Sequence, residues 1–378
     1  MEARRWLAGV DMPPGRPLIN LSQAAPVEPP PEALREAMAE MVRAEDDTHL
    51  YGPVLGLPAL RSEIAWRWSA AYGGAIEPED VAITAGCNQA FATAIMTLAE
   101  PGDAVLLPVP WYFNHKMWLD LCGIEAIPLP CDDAMLPDLA AATALWTPRT
   151  RAIALVTPNN PTGAEYPPAL IAGFAELARS RGGALVLDET YRDFASSTER
   201  PHDLFTDAGW RDTLIHLYSF SKSFRLTGHR TGAMIASPDR LAEAEKILDT
   251  VTICPPQLGQ KSALWGLRNL SDWLAAKRLE ILRRRDAAFA ALSALPGWRV
   301  LGCGAYFAYV EHPFDIPSNE LCPKLVRDQS LLMLPGTMFA PDGDERAKRQ
   351  LRLAFANVGV EGLGVLGERL AGVGERVG

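Results

Sequence analysis

The 378-residue chain has no uninterrupted apolar run long enough to span a membrane. The basic residues of Met1-Glu2-Ala3-Arg4-Arg5-Trp6 have no apolar core behind them, so the start does not read as a secretion signal. Cysteine is sparse. Cys87, Cys122, Cys131, Cys254, Cys303 and Cys322 are scattered, with no Cys-x-x-Cys pair and no Cys/His cluster of zinc spacing. They read as free thiols in a reducing compartment, and a cytoplasmic protein is expected. Positive charge is also short. A net charge of −10 argues against a nucleic-acid or anionic-membrane partner. Any phosphate bound here must sit in a local positive pocket. Internal repeats are lacking, and the only low-complexity tract is Pro29-Pro30-Pro31.

What is present is an ordinary globular composition, 48% hydrophobic and 22% charged, on a chain long enough for two domains. Pro29-Pro30-Pro31 suits the start of a helix, and Leu34, Ala37, Met38, Met41 and Val42 follow at helical spacing. From about residue 57 to 240, helical patterns alternate with short apolar runs. Helices are predicted at Pro58 to Ala71, Gly86 to Ala99, and about 112–121 and 168–181. Strands are predicted at Ala104–Leu107, Ile153–Thr157, Ala184–Leu187, Thr213–Tyr218 and Ala233–Ala236. Such alternation predicts an α/β fold whose large domain has a mostly parallel sheet covered by helices on both faces. Ligands in such sheets bind at the carboxyl ends of the strands. The pattern then changes. A long helix from Ser271, a plausible N-cap, to Leu295 precedes strand candidates at Arg299–Leu301, Ala305–Val310, Leu331–Leu334 and Gln350–Phe355. This predicts a smaller α+β domain. The expected division is 46–268 for the large domain, with 1–45 and 269–378 forming the small one.

The most informative stretch is Ser219-Phe220-Ser221-Lys222, with Arg230 eight positions beyond the lysine. A desolvated lysine near another cation loses its proton more easily and becomes a nucleophile toward an aldehyde. A lone lysine of this kind also reads as a solvated loop residue. Its company changes that reading. Thr84-Ala85-Gly86-Cys87-Asn88-Gln89 joins a short strand to a helix, whose free N–H groups suit a phosphate. Pro110-Trp111-Tyr112-Phe113-Asn114-His115 puts aromatics at a strand end, where one can stack on a planar ring or pack in the core. Thr157-Pro158-Asn159-Asn160-Pro161-Thr162-Gly163 is a turn whose amides can donate to a ligand oxygen. Asp188 ends an apolar run, where it either caps a helix or pairs with a ligand. Tyr51 sits on a loop stiffened by glycine and proline, and Arg352 interrupts a late apolar strand, where its fork would take a carboxylate or phosphate. An imine-forming lysine, a phosphate cradle, a stacking aromatic, a buried carboxylate and a carboxylate-binding arginine are together what pyridoxal 5'-phosphate requires.

With Asn-Pro-Thr-Gly, Asp-x-x-Tyr and Ser-x-Ser-Lys in that order, the sequence resembles the class I/II aminotransferases of the fold-type I pyridoxal-phosphate enzymes, from about Leu21 to Arg352. The resemblance implies that Lys222 is the Schiff-base lysine and proton shuttle, with Asp188 on the pyridinium nitrogen. It places Tyr191 and Asn160 on the phenolic oxygen, and Tyr112, in preference to Trp111, on the ring face. Gly86, Cys87, Asn88, Ser219, Ser221 and Arg230 would hold the phosphate, with Tyr51 reaching the phosphate of a neighbouring subunit in a homodimer. Arg352 would clamp the substrate α-carboxylate. Cys87-Asn88 and Arg225 depart from the residues common in the family, and no second arginine can be assigned to an acidic side chain.

The expected activity is therefore ping-pong transfer of an amino group between an L-amino acid, neutral or aromatic, and a 2-oxo acid. A carbon–sulfur β-lyase would use the same residues, since both reactions begin by deprotonating Cα. A decarboxylase fits less well, because Arg352 would hold the carboxylate away from cleavage. A cofactor-binding regulator fused to a DNA-binding module is a third reading, but no basic helix-turn-helix precedes the motifs.

Overall fold

A computed structural model describes residues 2–373. Its strands are β1 (Ile19–Asn20), β2 (Val81–Thr84), β3 (Ala104–Val109), β4 (Glu125–Pro130), β5 (Thr150–Val156), β6 (Ala184–Asp188), β7 (Leu214–Ser219), β8 (Gly232–Ile235), β9 (Arg299–Gly304), β10 (Phe307–Glu311), β11 (Leu331–Leu332), β12 (Leu334–Pro335) and β13 (Gln350–Ala354). Seven of them form one sheet in the order β2-β8-β7-β6-β5-β3-β4. Every pairing is parallel except the two made by β8.

Strand alternation builds two cores from one sheet. Ile153 and Leu155 of β5, with Leu185 and Leu187 of β6, pack under helices Pro58–Tyr72, Pro168–Ser180 and Gln257–Asn269. Their neighbours Ala152, Ala154 and Val186 face the other way, against helices Cys87–Met96, Phe113–Leu121 and Pro238–Thr252. Because β8 runs opposite to the rest, its amino end lies at the rim where the parallel strands finish.

The smaller half has an antiparallel sheet, β12-β13-β10-β9. Its core joins Phe307, Leu351 and Leu353 to helices Ser271–Ser293, Ser318–Gln329 and Val360–Ala371. The segment near the start adds β1 in parallel to β11.

Several local expectations need correction. The N-cap of the long helix is Leu270, and Ser271 is its first residue. Ala305 has a φ of 44° and turns the chain between β9 and β10 rather than opening a strand. The strand expected at Leu331–Leu334 is two short ones, broken at Met333. β4 escaped the sequence reading because its prolines, Pro128 and Pro130, speak against a strand; it lies at the sheet edge, where proline is tolerated.

Candidate active site

The carboxyl ends of the parallel strands meet over a cavity of about 170 Å³. Cys87, Asn88, Tyr112, Asn160, Asp188, Tyr191, Ser219, Ser221, Lys222 and Arg230 all line it, joined by Val156 and Thr190. Alternation along the strands explains the gathering. Val156, Asp188 and Ser219 end β5, β6 and β7 on the face that carries helix Cys87–Met96. Trp111, by contrast, is buried in the core on that face and does not line the cavity. Tyr51 is 79% exposed and lies outside the cavity of its own chain.

Lys222 sits in the short helix Phe220–Ser223 that follows β7. Its Nζ stands 5.8 Å from the centre of the Tyr191 ring. Burial, then the charges of Arg230 and Arg352, lower its pKa to about 8, against an opposing pull from Asp188. The amine is thus far closer to its neutral, nucleophilic form than a surface lysine.

Asp188 is buried, and Thr190 donates to its Oδ1 from both the backbone N–H (3.0 Å) and Oγ1 (2.7 Å). Its Oδ2 faces His115 Nε2 at 3.4 Å, without the alignment of a good hydrogen bond. Burial works to raise this carboxyl, but His115 and Thr190 outweigh it and hold it below the usual carboxylate range. The group is an anion on the cavity wall, with Oδ1 committed to Thr190 and Oδ2 beside His115. His115 is fixed by stacking on Phe91, with ring centres 3.7 Å apart. Neither His115 nor Thr190 was given a role from sequence. The available signal was spacing: His115 falls three residues after Tyr112, on the same helical face.

The next residue, Glu189, shows the other side of the alternation. It is equally buried but faces Tyr72, which donates to it, and His216 Nε2 at 2.7 Å. Burial would raise its pKa, but His202 and His216 hold it well below the usual range. This carboxylate is committed to the protein.

At the other end of the cavity, Gly86 has a φ of 89°, and a Cβ there would lie 2.2 Å from Arg230 Nη2. Only glycine lets the guanidinium rest against the start of helix Cys87–Met96. Cys87 and Asn88, the first two helical residues, have no intrahelical acceptor for their N–H groups. Arg230 Nη1 reaches Ser221 Oγ at 3.5 Å, and Ser219 Oγ accepts from Ser221 N at 3.3 Å. Burial, followed by the charge of Asp188, pushes the Cys87 thiol well above its ordinary pKa, leaving it neutral.

The turn after β5 separates its two asparagines. Asn159 is used internally: its Oδ1 accepts from Thr162 N (3.1 Å) and Oγ1 (2.8 Å), and its Nδ2 donates to Tyr166 (3.0 Å). Asn160 faces the cavity and accepts from Arg352 Nη1 at 3.3 Å. Arg352 is buried between Phe307 and Phe339, donates from Nη2 to Ser22 O, and leaves Nε without a partner. Burial lowers its pKa to about 10. A buried cation with a free donor is costly unless an anion completes it. Tyr112 keeps its ring at the cavity wall through its hydroxyl, which accepts from Asn114 Nδ2 at 2.8 Å.

These residues fit pyridoxal phosphate. A cradle kept open by Gly86 and Arg230 suits the phosphate, the anionic Asp188 on the wall suits a protonated ring nitrogen, and a low-pKa lysine stands between them. The unpartnered Arg352 Nε suits a substrate carboxylate.

Comparison with known proteins points the same way. The family described as "Aminotransferase class I and II" matches residues 16–370. The arginine–pyruvate transaminase AruH of Pseudomonas aeruginosa is 30% identical over 343 residues, covering 89% of this chain and 86% of that protein. An aspartate aminotransferase of Thermotoga maritima is 27% identical over 344 residues, covering 90% and 88%. Among solved structures, YbdL from Escherichia coli, described as having a methionine aminotransferase function, superposes with a TM-score of 0.86 at 26% identity and covers 94% of each chain.

Proposed function

The chain belongs to the class I and II aminotransferase family, known to use pyridoxal phosphate, and from that premise we propose that it moves amino groups between an L-amino acid and a 2-oxo acid with this cofactor held in the Lys222 cavity. The observation that carries the reading is Lys222 and Asp188 on one cavity, with Arg352 behind its wall and bonded to Asn160, each with its charge state set by its surroundings. When bound, pyridoxal phosphate supplies an electron sink that acidifies the substrate Cα–H bond.

The remaining work falls to the chain. Arg352 takes the α-carboxylate through the Nε that has no partner, while Nη2 keeps its bond to Ser22 O. Asp188 would keep a positive ring nitrogen charged, while Tyr191 and Asn160 would hold the phenolic oxygen. Ser219, Ser221, Arg230 and the first turn at Gly86, Cys87 and Asn88 would hold the phosphate, and Tyr112 would stack on the ring. Lys222, when neutral, would take the Cα proton on Nζ as general base and hold it for return as general acid. Donor and acceptor use the same cavity in turn, which gives ping-pong kinetics. The six unpaired cysteines support a reducing, cytoplasmic setting for this chemistry.

For the substrate we propose a neutral or aromatic side chain. Among the described residues Arg230 is the single arginine lining the cavity that Asp188 shares, and it is turned to the phosphate end, while Arg225 and Arg284, on the neighbouring crevice that Lys222 also lines, are paired with Glu28 and Glu280. Relatives described as acting on arginine, aspartate and methionine do not choose among these classes.

The test is a panel of amino donors with 2-oxoglutarate and pyruvate, with release of pyruvate and ammonia from a thioether amino acid measured alongside. Arg352→Ala should weaken every α-amino acid donor by about ten- to a hundredfold, the worth of a charge-assisted contact of about 1.5–3 kcal/mol. It should spare amines that lack the carboxylate. Aspartate leading the panel in kcat/KM would overturn the substrate class. Lyase turnover without an acceptor would replace the reaction.

A further inference from the structure

Arg225, one of the departures noted in the sequence, lies three residues beyond Lys222 and has a φ of 60°. A left-handed backbone is unfavourable for a side chain of this size and persists when surrounding contacts enforce it. Two contacts do so. The guanidinium lies over the Trp273 ring, 5.3 Å from its centre, and forms an ion pair with Glu28. The arginine side chain is 16% exposed and the glutamate 54%.

Glu28 ends a strap, residues 22–28, that crosses from the small sheet to the Lys222 loop. Its near end is fixed where Ser22 O accepts from Arg352 and Leu21 O accepts from Ala354 N at 2.7 Å. Its middle is held by Asn357, which donates to Gln23 O (3.2 Å) and Ala25 O (2.7 Å) and accepts from Val27 N (3.3 Å). The Arg225–Glu28 pair holds its far end. Between strap and loop runs a crevice that Lys222, Arg225 and Glu28 all line. The other charges on the crevice are committed: Lys277 and Arg284 both pair with Glu280.

We propose that Arg225 and Glu28 are positioning residues for amino transfer: their ion pair latches the strap to the Lys222 loop and so holds Ser22, and with it Arg352, in register for the substrate carboxylate. The latch rests on the reading of Arg352 as the carboxylate clamp. It touches neither substrate nor cofactor, and acts through the strap.

Arg225→Gly suits the test because glycine accepts the same backbone without strain. Glu28→Gln removes the partner charge, and the swapped pair Arg225→Glu with Glu28→Arg restores it in reverse. Hydrogen–deuterium exchange across residues 22–28, measured by mass spectrometry on cofactor-free protein, should rise about three- to tenfold in each single variant, the reach of a partly exposed ion pair with a cation–π contact. In the loaded enzyme the KM for α-amino acids should rise by a similar factor, with kcat little changed and amines lacking a carboxylate unaffected. The swapped pair restores the ion pair but not the contact with Trp273, so it should return both readouts part of the way to wild type. Unchanged exchange in both singles, or a swap no better than either, would overturn the latch. Faster exchange with an unaltered KM, or an equal KM change for amines, would overturn its coupling to Arg352. The clamp itself is decided separately by Arg352→Ala, so the two failures remain distinguishable.

Discussion

A lysine whose pKa falls from 10.5 to about 8 on folding weighs against the folded state at neutral pH. Below pH 8 both states carry the proton, and the folded state bears the full cost of burying the charge. Between about pH 8 and 10.5 the unfolded chain holds a proton that the folded chain has released, so stability rises with pH across that window. Lys222→Met should therefore raise the Tm of cofactor-free protein at pH 7, and the gain should shrink through that window. Thermal unfolding at a series of pH values checks this, and equal melting of both proteins at pH 7 would contradict the buried-charge account. The roles proposed for Lys222, Asp188 and Arg352 were legible in sequence because a charged residue in an apolar run demands a partner. Thr190 and His115 were not, since their value lies in contacts with Asp188 that exist only once the end of β6 meets a neighbouring helix. The two asparagines looked equivalent from their own chemistry. What separates them is that Asn159 closes its own turn while Asn160 meets Arg352, 192 residues away.

The turn ending at Gly163 brings the two halves into backbone contact. Its φ is 77°, and a Cβ there would lie 2.4 Å from Gly304 N and 2.7 Å from Phe307 O. The crowding atoms are backbone and cannot rotate away. Gly163→Ala should destabilise the protein by about 1–3 kcal/mol through overpacking and strain, and should move Asn160 away from Arg352. Denaturant unfolding measures the first effect, and the KM for α-amino acids the second. A variant as stable as wild type would show that the turn yields. Elements with continuous apolar runs, such as β5, β6 and β7, were readable along the chain because both faces of the sheet are buried. β4 was hidden by its edge prolines, and the break at Met333 by an apolar run that gave no sign of it. Arg225 could be noted as unusual, but its partners Glu28 and Trp273 lie far off in sequence.

For the whole molecule we propose the division into 46–268 and the two flanking segments, with helix Glu32–Ala44 leaning on the large core through Leu34 and Met38. We also propose a homodimer. Leu50, Tyr51, Val251 and Ile253 are exposed apolar residues on the surface, and the phosphate contact proposed for Tyr51, which lies outside the cavity of its own chain, would need a neighbour's cavity. Mixing Tyr51→Phe with Lys222→Ala subunits should recover activity that neither variant has alone, because one hybrid cavity then holds both native residues. A fully active monomer in sedimentation would refute the shared site. The reversed course of β8 carries a further implication. It brings Arg230 back to the rim that Lys222 has just left, so the connection between β7 and β8 carries both residues to one cavity and its length sets their spacing. The loops at the opposite rim carry no cavity residue: Gly102 and Gly182 stand in open space, and neither lines the cavity. A library of short in-frame insertions should therefore divide by edge of the sheet, with tolerant sites clustering beside Gly102 and Gly182 and almost none surviving between residues 222 and 230. The fold would thus confine evolutionary novelty in loop length to the side remote from chemistry, and leave the reactive rim to change by substitution alone.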